Sequence, residues 1–217
     1  MPHEDPDLIP TADAGFDADP TADLHPVIRA AGWPEPASRV EGVTVRDARE
    51  QDHAAIAHLT VSSYVDGGHI DPADEYIEHL QDVGHRFRQA RVLVGEVRTE
   101  QGAVVAGSVV LTLPGMPMSE TSLEGELEFR MLAVDPRVQR RGVARALVRA
   151  AIDRAEQLEG VHAVVLTTMV TMTGAHRLYE SEGFTRVPER DWRLSDIGQE
   201  PTGGEDQVFW VYRRPLP

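Results

Sequence analysis

The stretch Leu132-Ala-Val-Asp-Pro-Arg-Val-Gln-Arg-Arg-Gly-Val-Ala-Arg-Ala-Leu-Val148 constrains this chain more than any other. An apolar run ends at Val134, and Asp135-Pro136 stops it. A short basic loop follows, and Gly142 stands at the mouth of an amphipathic helix read from Arg141 to Leu158. One stripe of that helix is Val143, Leu147, Ala151 and Ala155, with Val148 and Ile152 beside it. A strand that turns into a helix through such a loop makes an anion site. The first N–H groups of the helix have no partner, and its dipole is positive at that end. Gly142 removes a Cβ that would keep a phosphate away, and Ala144 keeps the next turn thin. Arg137, Arg140, Arg141 and Arg145 surround the mouth with positive charge. The segment therefore suits a diphosphate held by main chain and steered by arginine. Neither G-x-x-x-x-G-K-[ST] nor G-x-G-x-x-G after a strand occurs, which argues against an ATP- or NAD-type site.

The rest of the chain supplies an α/β setting. Val43 and Val45 alternate with polar residues as in a strand. Ala55, Ile56, Leu59 and Val61 give a helix over 52–65 that ends at Gly67-Gly68. Asp71-Pro72 reads as the cap and first residue of a second helix with Tyr76, Ile77, Leu80 and Val83 as its apolar positions. Strands follow at 91–97 and 103–113, then an exposed loop over 114–125 and a strand over 126–134. Beyond the long helix come a strand at 163–168, a short helix at 174–182, a strand at 185–187, an irregular stretch over 188–206 and a last strand at 207–213. Strands joined by helices in this order predict an α/β (α+β) fold: a mixed, mostly antiparallel sheet of six to seven strands with helices on both faces.

Composition narrows the function. The 217 residues suffice for one domain, read as 41–217. Residues 1–40 are rich in Pro and Asp, carry eight acidic against two basic side chains, and read as a mostly disordered tail in which Trp33 is a candidate for docking. A net charge of −15 argues against nucleic acid and is compatible with a cationic small molecule or basic peptide. No membrane span or secretory signal is read, so the chain is expected to be cytoplasmic. With no cysteine there is no thiolate metal site and no Cys-acyl intermediate. Nine histidines without an H-E-x-x-H or comparable cluster predict no metal. A homodimer is left open.

Gln139-Arg140-Arg141-Gly142-Val143-Ala144 is similar to the [Q/R]-x-x-G-x-[G/A] motif of the GCN5-related N-acetyltransferases (GNAT). A second block, Ala175-His-Arg-Leu-Tyr-Glu-Ser-Glu-Gly-Phe184, resembles the A-x-x-L-Y-x-x-x-G-F segment of the same superfamily. The two stand in the family's order, and the likeness spans about residues 41–213. It implies acetyl-CoA, or another acyl-CoA, as co-substrate, with its pyrophosphate on Gln139, Arg140, Arg141, Gly142, Val143, Ala144 and Arg145. The pantetheine arm is implied along Leu132, Ala133 and Val134 and near Met172 and Ala175. Many members carry Asn where this chain has Met172, so here the arm contact passes to backbone or other groups. The likeness also implies a sheet splayed at strands 4 and 5, with a bulge in strand 4.

Acetylating an amine requires taking a proton from it and stabilising the departing thiolate. Tyr179 matches the family tyrosine implied near the CoA sulfur, and a phenol can donate there. For the proton acceptor, Glu126, Glu128 and Arg130 share one face of their strand. By resemblance Glu128 is the base, with Glu126 as the alternative, and the Leu132 N–H is the oxyanion donor. His162 and His176 read as structural. Tyr64, Tyr76, Met116, Met118 and Trp192 are candidates for the acceptor pocket. The expected function is N-acyl transfer to a primary amine or peptide amine by direct attack in a ternary complex. A degenerate acyl-CoA-binding module is the alternative, and the acceptor is open between an antibiotic, a polyamine, an amino acid and a protein N-terminus.

Overall fold

The strand over Glu126–Val134 lies at the middle of an eight-stranded mixed sheet. The computed structural model describes residues 33–35, 40–73, 76–100, 102–138, 140–197 and 206–217. Its strands are β1 (Val43–Asp47), β2 (Arg91–Thr99), β3 (Gly102–Thr112), β4 (Glu126–Val134), β5 (Ala163–Met169), β6 (Thr185–Arg186), β7 (Trp192–Arg193) and β8 (Val208–Pro215). They are ordered β1-β2-β3-β4-β5-β8-β6, with β7 pairing β8 beside β6. Every pairing is antiparallel except β4 with β5. The expected fold class is what forms; the short strand β7 lies inside the stretch 188–206 expected to be irregular.

The α-helices among the described residues are α1 (His53–Val65), α2 (Tyr76–Gln81), α3 (Val83–Gln89), α4 (Val143–Gln157) and α5 (Thr173–Ser181). One helix was expected after Asp71; two form. The Asp82 carboxylate accepts the His85 N–H at 2.8 Å and starts α3 afresh, cutting the apolar period of Tyr76, Ile77, Leu80 and Val83. Asp71 spends its own carboxylate on a local turn, accepting the Ala73 N–H at 2.8 Å.

Helix α4 lies across β1 to β4, and two glycines set how close it comes. A Cβ on Gly107 would stand 2.7 Å from Val143 Cγ1 and 2.9 Å from the Ala133 carbonyl oxygen. A Cβ on Gly95 would meet the same methyl at 3.1 Å. The first turn of α4 is thus pressed onto β2 and β3. Trp33 does dock: it is buried, with the guanidiniums of Arg91 and Arg154 each 6.0 Å from its ring centre. The remainder of the predicted tail, residues 1–32 and 36–39, lies outside the described residues.

Two departures from a regular sheet create the site. β4 and β5 pair only at Glu126–Ala163, Leu127–Val164 and Glu128–Val165. Past that point β4 stays with β3 as far as Val134, and β5 stays with β8 as far as Met169, so the two strands part. In β4, Ala133 faces Ser108 and Arg130 faces Val110, which leaves Met131 and Leu132 opposite Val109 alone. That is a β-bulge. Met131 takes φ 51° there, a left-handed conformation costly for a side chain of its size.

Candidate active site

The parted strands open a cleft of about 340 Å³ lined by Ser63, Tyr64, His69, Leu132, Thr171, Met172, Thr173, Gly174 and Ala175. Leu132 comes from the bulge, Met172–Ala175 from the start of α5, and Ser63, Tyr64 and His69 from the end of α1 and the turn after it. β4 and β5 are parallel, and each runs into a helix. The cleft therefore lies beyond their carboxyl ends, where open α/β sheets bind ligands.

At the end of β4 the basic loop forms as its residues predict. Gly142 caps α4 in the left-handed region at φ 80°, and no side chain caps the helix. The first intrahelical bond in this turn runs from the Ala146 N–H to the Gly142 carbonyl at 2.9 Å. The N–H groups of Val143, Ala144 and Arg145 are therefore left without intrahelical acceptors. Arg140 is also left-handed, at φ 66°. A Cβ on Gly142 would reach Val40 Cγ1 at 2.9 Å, so a side chain there has neither the backbone angle nor the room. Gln139 lies outside the described residues.

The arginines divide. Arg137 pairs with Asp135 at 2.7 Å, and Arg145 pairs with Glu182 at 2.9 Å and donates to Ser181 Oγ. Arg141 donates to the Arg98 carbonyl at 3.3 Å. Arg140 is exposed, and no described residue pairs with it. An uncapped helix start, a glycine without space for a Cβ and an uncommitted guanidinium fit a phosphate group, so the residues present suit the pyrophosphate of a coenzyme A thioester.

Tyr179, on α5, is buried in an aromatic cluster, 5.7 Å from Phe129, 6.1 Å from Phe184 and 6.1 Å from Tyr212 between ring centres. Burial pushes its phenol well above the ordinary range, so it keeps its proton. No described residue accepts a hydrogen bond from that hydroxyl. Tyr64 is raised the same way: burial dominates, with the phenols of Tyr76 and Tyr179 adding to it against Arg130 and Arg86.

The two candidate carboxylates on β4 have different surroundings. Glu128 is fully buried. Its Oε2 accepts the N–H groups of Glu120, Thr121 and Ser122 at 3.0, 3.1 and 3.1 Å and the Ser119 hydroxyl at 3.2 Å. That arrangement anchors the β3–β4 loop. Its Oε1 has no hydrogen-bond partner among the described residues, with Arg130 Nε at 3.8 Å. Glu126 pairs with Arg190 at 2.9 Å and with Arg213 at 2.7 Å. Burial pulls its pKa up, but these two arginines and the Leu123 N–H outweigh it and hold the carboxyl below its usual range.

Of the acceptor-pocket candidates, only Tyr64 lines the cleft. Met116 and Met118 are core residues of the packed loop that sequence reading took as exposed, Trp192 stacks on Phe209 at 4.3 Å, and Tyr76 is exposed. His176 stacks on Trp210 at 4.9 Å and lies 3.1 Å from the Met169 carbonyl, and His162 packs under Gly125; neither lines the cleft. His69 was not singled out in the sequence. The Gly67-Gly68 pair before it marks a helix end and nothing more, because the hydroxyl that His69 meets there, Thr171 Oγ1, lies 102 residues away in the sequence.

The acetyltransferase (GNAT) family model matches residues 53–184, more than half of the chain. The chain belongs to the acetyltransferase (GNAT) family. A curated relative, N-acetylaspartate synthetase of Danio rerio, is 34% identical over 155 residues, which cover 70% of this chain and 48% of that protein. N-acetyltransferase family 8 member 3 of Rattus norvegicus is 34% identical over 84 residues, 38% of this chain and 36% of that one. The chain thus spans about half, or less, of the length of the curated relatives it matches. Among solved structures, one described as an acetyltransferase of Salmonella typhimurium with its cofactor acetyl-CoA superposes with a TM-score of 0.58 at 22% identity, covering 82% of this chain and 95% of that one. The ribosomal-protein-S18-alanine N-acetyltransferase of Escherichia coli superposes with a TM-score of 0.54 at 20% identity, covering 80% and 94%. These likenesses bear out the splayed GNAT sheet expected from the two motifs. Among the described residues no helix is long and apolar enough to cross a membrane.

Proposed function

We propose that this chain is an acetyl-CoA-dependent N-acetyltransferase acting on a small amine by direct attack within a ternary complex. The observation that carries the proposal is the junction of the uncapped α4 start with the bulged, splayed end of β4. It offers donors for a diphosphate and, beyond the end of the same strand, a cleft of about 340 Å³. Acetyl-CoA supplies an acyl carbon activated as a thioester, and the chain's own residues do the rest. Backbone N–H groups of Val143, Ala144 and Arg145, with Arg140, hold the phosphates. Leu132, Ala133 and Val134 offer main chain along the open edge of β4. Met172, whose carbonyl accepts the Ala175 N–H at 3.0 Å, starts α5 on the opposite wall.

Tyr179 serves as hydrogen-bond donor to the leaving sulfur. Thiols titrate near ~8.5 and this phenol well above ~10, so Tyr179 stabilises a thiolate without first losing its own proton. The Leu132 N–H, at the bulge, is the donor proposed for the carbonyl oxygen; a preorganised donor of this kind is worth about 3–4 kcal/mol in rate. Relatives that act in N-acetylaspartate synthesis support a free amino acid, aspartate first, as the acceptor class.

The test is release of CoA thiol from acetyl-CoA by the purified chain with a panel of amines: aspartate, other amino acids, a polyamine and a peptide. Release that needs an amine and saturates with one class supports the reading. Saturable acetyl-CoA binding with no release by any amine would instead favour a binding module.

A further inference from the structure

We propose that His69 takes the proton from the acceptor amine. The inference rests on the acetyltransferase reading and names a group outside both sequence motifs. His69 is the one imidazole among the described residues that line the cleft, and it shares that lining with Leu132 of the bulge and Ala175 of α5. Its place is built rather than incidental. The N–H groups of His69 and Ile70 both return to the Tyr64 carbonyl, at 2.9 and 3.3 Å, so the turn after α1 is closed under the ring. A Cβ on Gly67 would stand 2.6 Å from the Ser63 carbonyl oxygen, 2.7 Å from His69 Cδ2 and 3.0 Å from His69 Nε2, so the Cδ2–Nε2 edge of the ring lies beside the exposed Gly67, in room that only glycine leaves. Across the cleft, Thr171 Oγ1 lies 3.4 Å from His69 Nδ1. Thr171 is thereby a positioning residue. When Nδ1–H points to that hydroxyl, the Nε2 lone pair is left to accept a proton.

Burial lowers the His69 pKa from the ordinary imidazole value, so the ring is neutral at pH 7. The other titratable side chain that lines the cleft is Tyr64 on α1, a neutral phenol; Tyr179 on α5, also neutral, Tyr76 on α2, Arg130 on β4 and Arg86 on α3 act on Tyr64 from around it. Glu128 has one oxygen filled by four donors, is fully buried and does not line the cleft. The step is a simple transfer. The acceptor arrives as an ammonium, its proton moves to the imidazole, and the freed electron pair stays on nitrogen. The resulting imidazolium returns the proton to solvent.

The test compares His69→Gln with wild type over pH 5.5–9.5, using the best amine of the panel and hydroxylamine, which is unprotonated at neutral pH. At pH 7 the variant should lose about 10²-fold or more in kcat/KM for the amine. The deficit should shrink as pH rises through the amine's own pKa and should be small with hydroxylamine at pH 7 and above, where that nucleophile carries no extra proton. The acidic limb of the wild-type profile, below ~6.5, should vanish. Acetyl-CoA affinity should be unchanged by calorimetry. An unchanged rate, or an equal loss at all pH values and with hydroxylamine, would overturn the assignment, the latter by showing a structural role. A wild-type chain that binds acetyl-CoA but turns over no amine would overturn the acetyltransferase reading and this inference together; turnover with an intact limb in the variant would overturn this inference alone.

Discussion

Tyr179 and Glu128 were picked by two different signals, and their surroundings in the fold divide their jobs. The tyrosine stands in a motif, and burial keeps its hydroxyl protonated without a partner among the described residues. Tyr179→Phe should therefore cost little stability while lowering turnover by roughly 10²-fold or more, as expected for loss of a group that acts in the transition state. Acetyl-CoA affinity by calorimetry should stay within a few-fold; unchanged turnover would remove Tyr179 from the reaction. Glu126 and Glu128 could be placed on one strand face by alternation alone. Their separate roles could not, because the partners come from elsewhere in the chain: Arg190 and Arg213 for one, the N–H groups of 120–122 for the other. His69 was invisible for the same reason, since its hydroxyl partner lies 102 residues away.

Elements whose apolar period is their strongest signal were the legible ones. Helix α4 was read as 141–158 and runs Val143–Gln157, and β4 was read as it stands. The break between α2 and α3 was not, because the period runs through it and only the Asp82 cap interrupts it. Nor was the bulge at a particular residue, since Met131 holds a left-handed angle with no glycine to announce it. The seating of α4 is testable at this scale. Gly107→Ala puts a methyl 2.7 Å from Val143 Cγ1, against backbone on its other side, so the helix start must lift. Overpacking of this kind costs about 1–3 kcal/mol, read as a lower urea midpoint with an unchanged slope. Because the same turn carries the phosphate donors, acetyl-CoA affinity should fall as well. A variant as stable and as tight as wild type would mean that α4 does not rest on the sheet at this point.

At the scale of the molecule, one buried carboxylate joins three parts of the chain. Glu126 ties β4 to Arg213 of β8 and to Arg190 in the turn before β7. Its folded pKa is depressed, so its contribution is complete above the unfolded carboxyl value of about 4.3 and fades as pH falls through the lower folded value. Glu126→Gln removes the carboxylate shared by two partly exposed arginines, of which Arg190 keeps the Thr121 carbonyl, and should cost about 1.5–3 kcal/mol at pH 7 by urea titration. The gap to wild type should narrow only below pH ~4.3. A variant equal to wild type at pH 7 would show that the cluster is not stabilising. The acidic balance of the chain, −15 overall, makes the arginine-flanked mouth of α4 a local exception, and the proposed binding of acetyl-CoA depends on that exception. It is tested most directly by calorimetric titration of the wild-type chain and of Gly142→Glu with acetyl-CoA. Saturable 1:1 binding to wild type, abolished in a variant that still unfolds cooperatively, is the predicted result. Absence of binding to wild type, or equal binding by the variant, would contradict it.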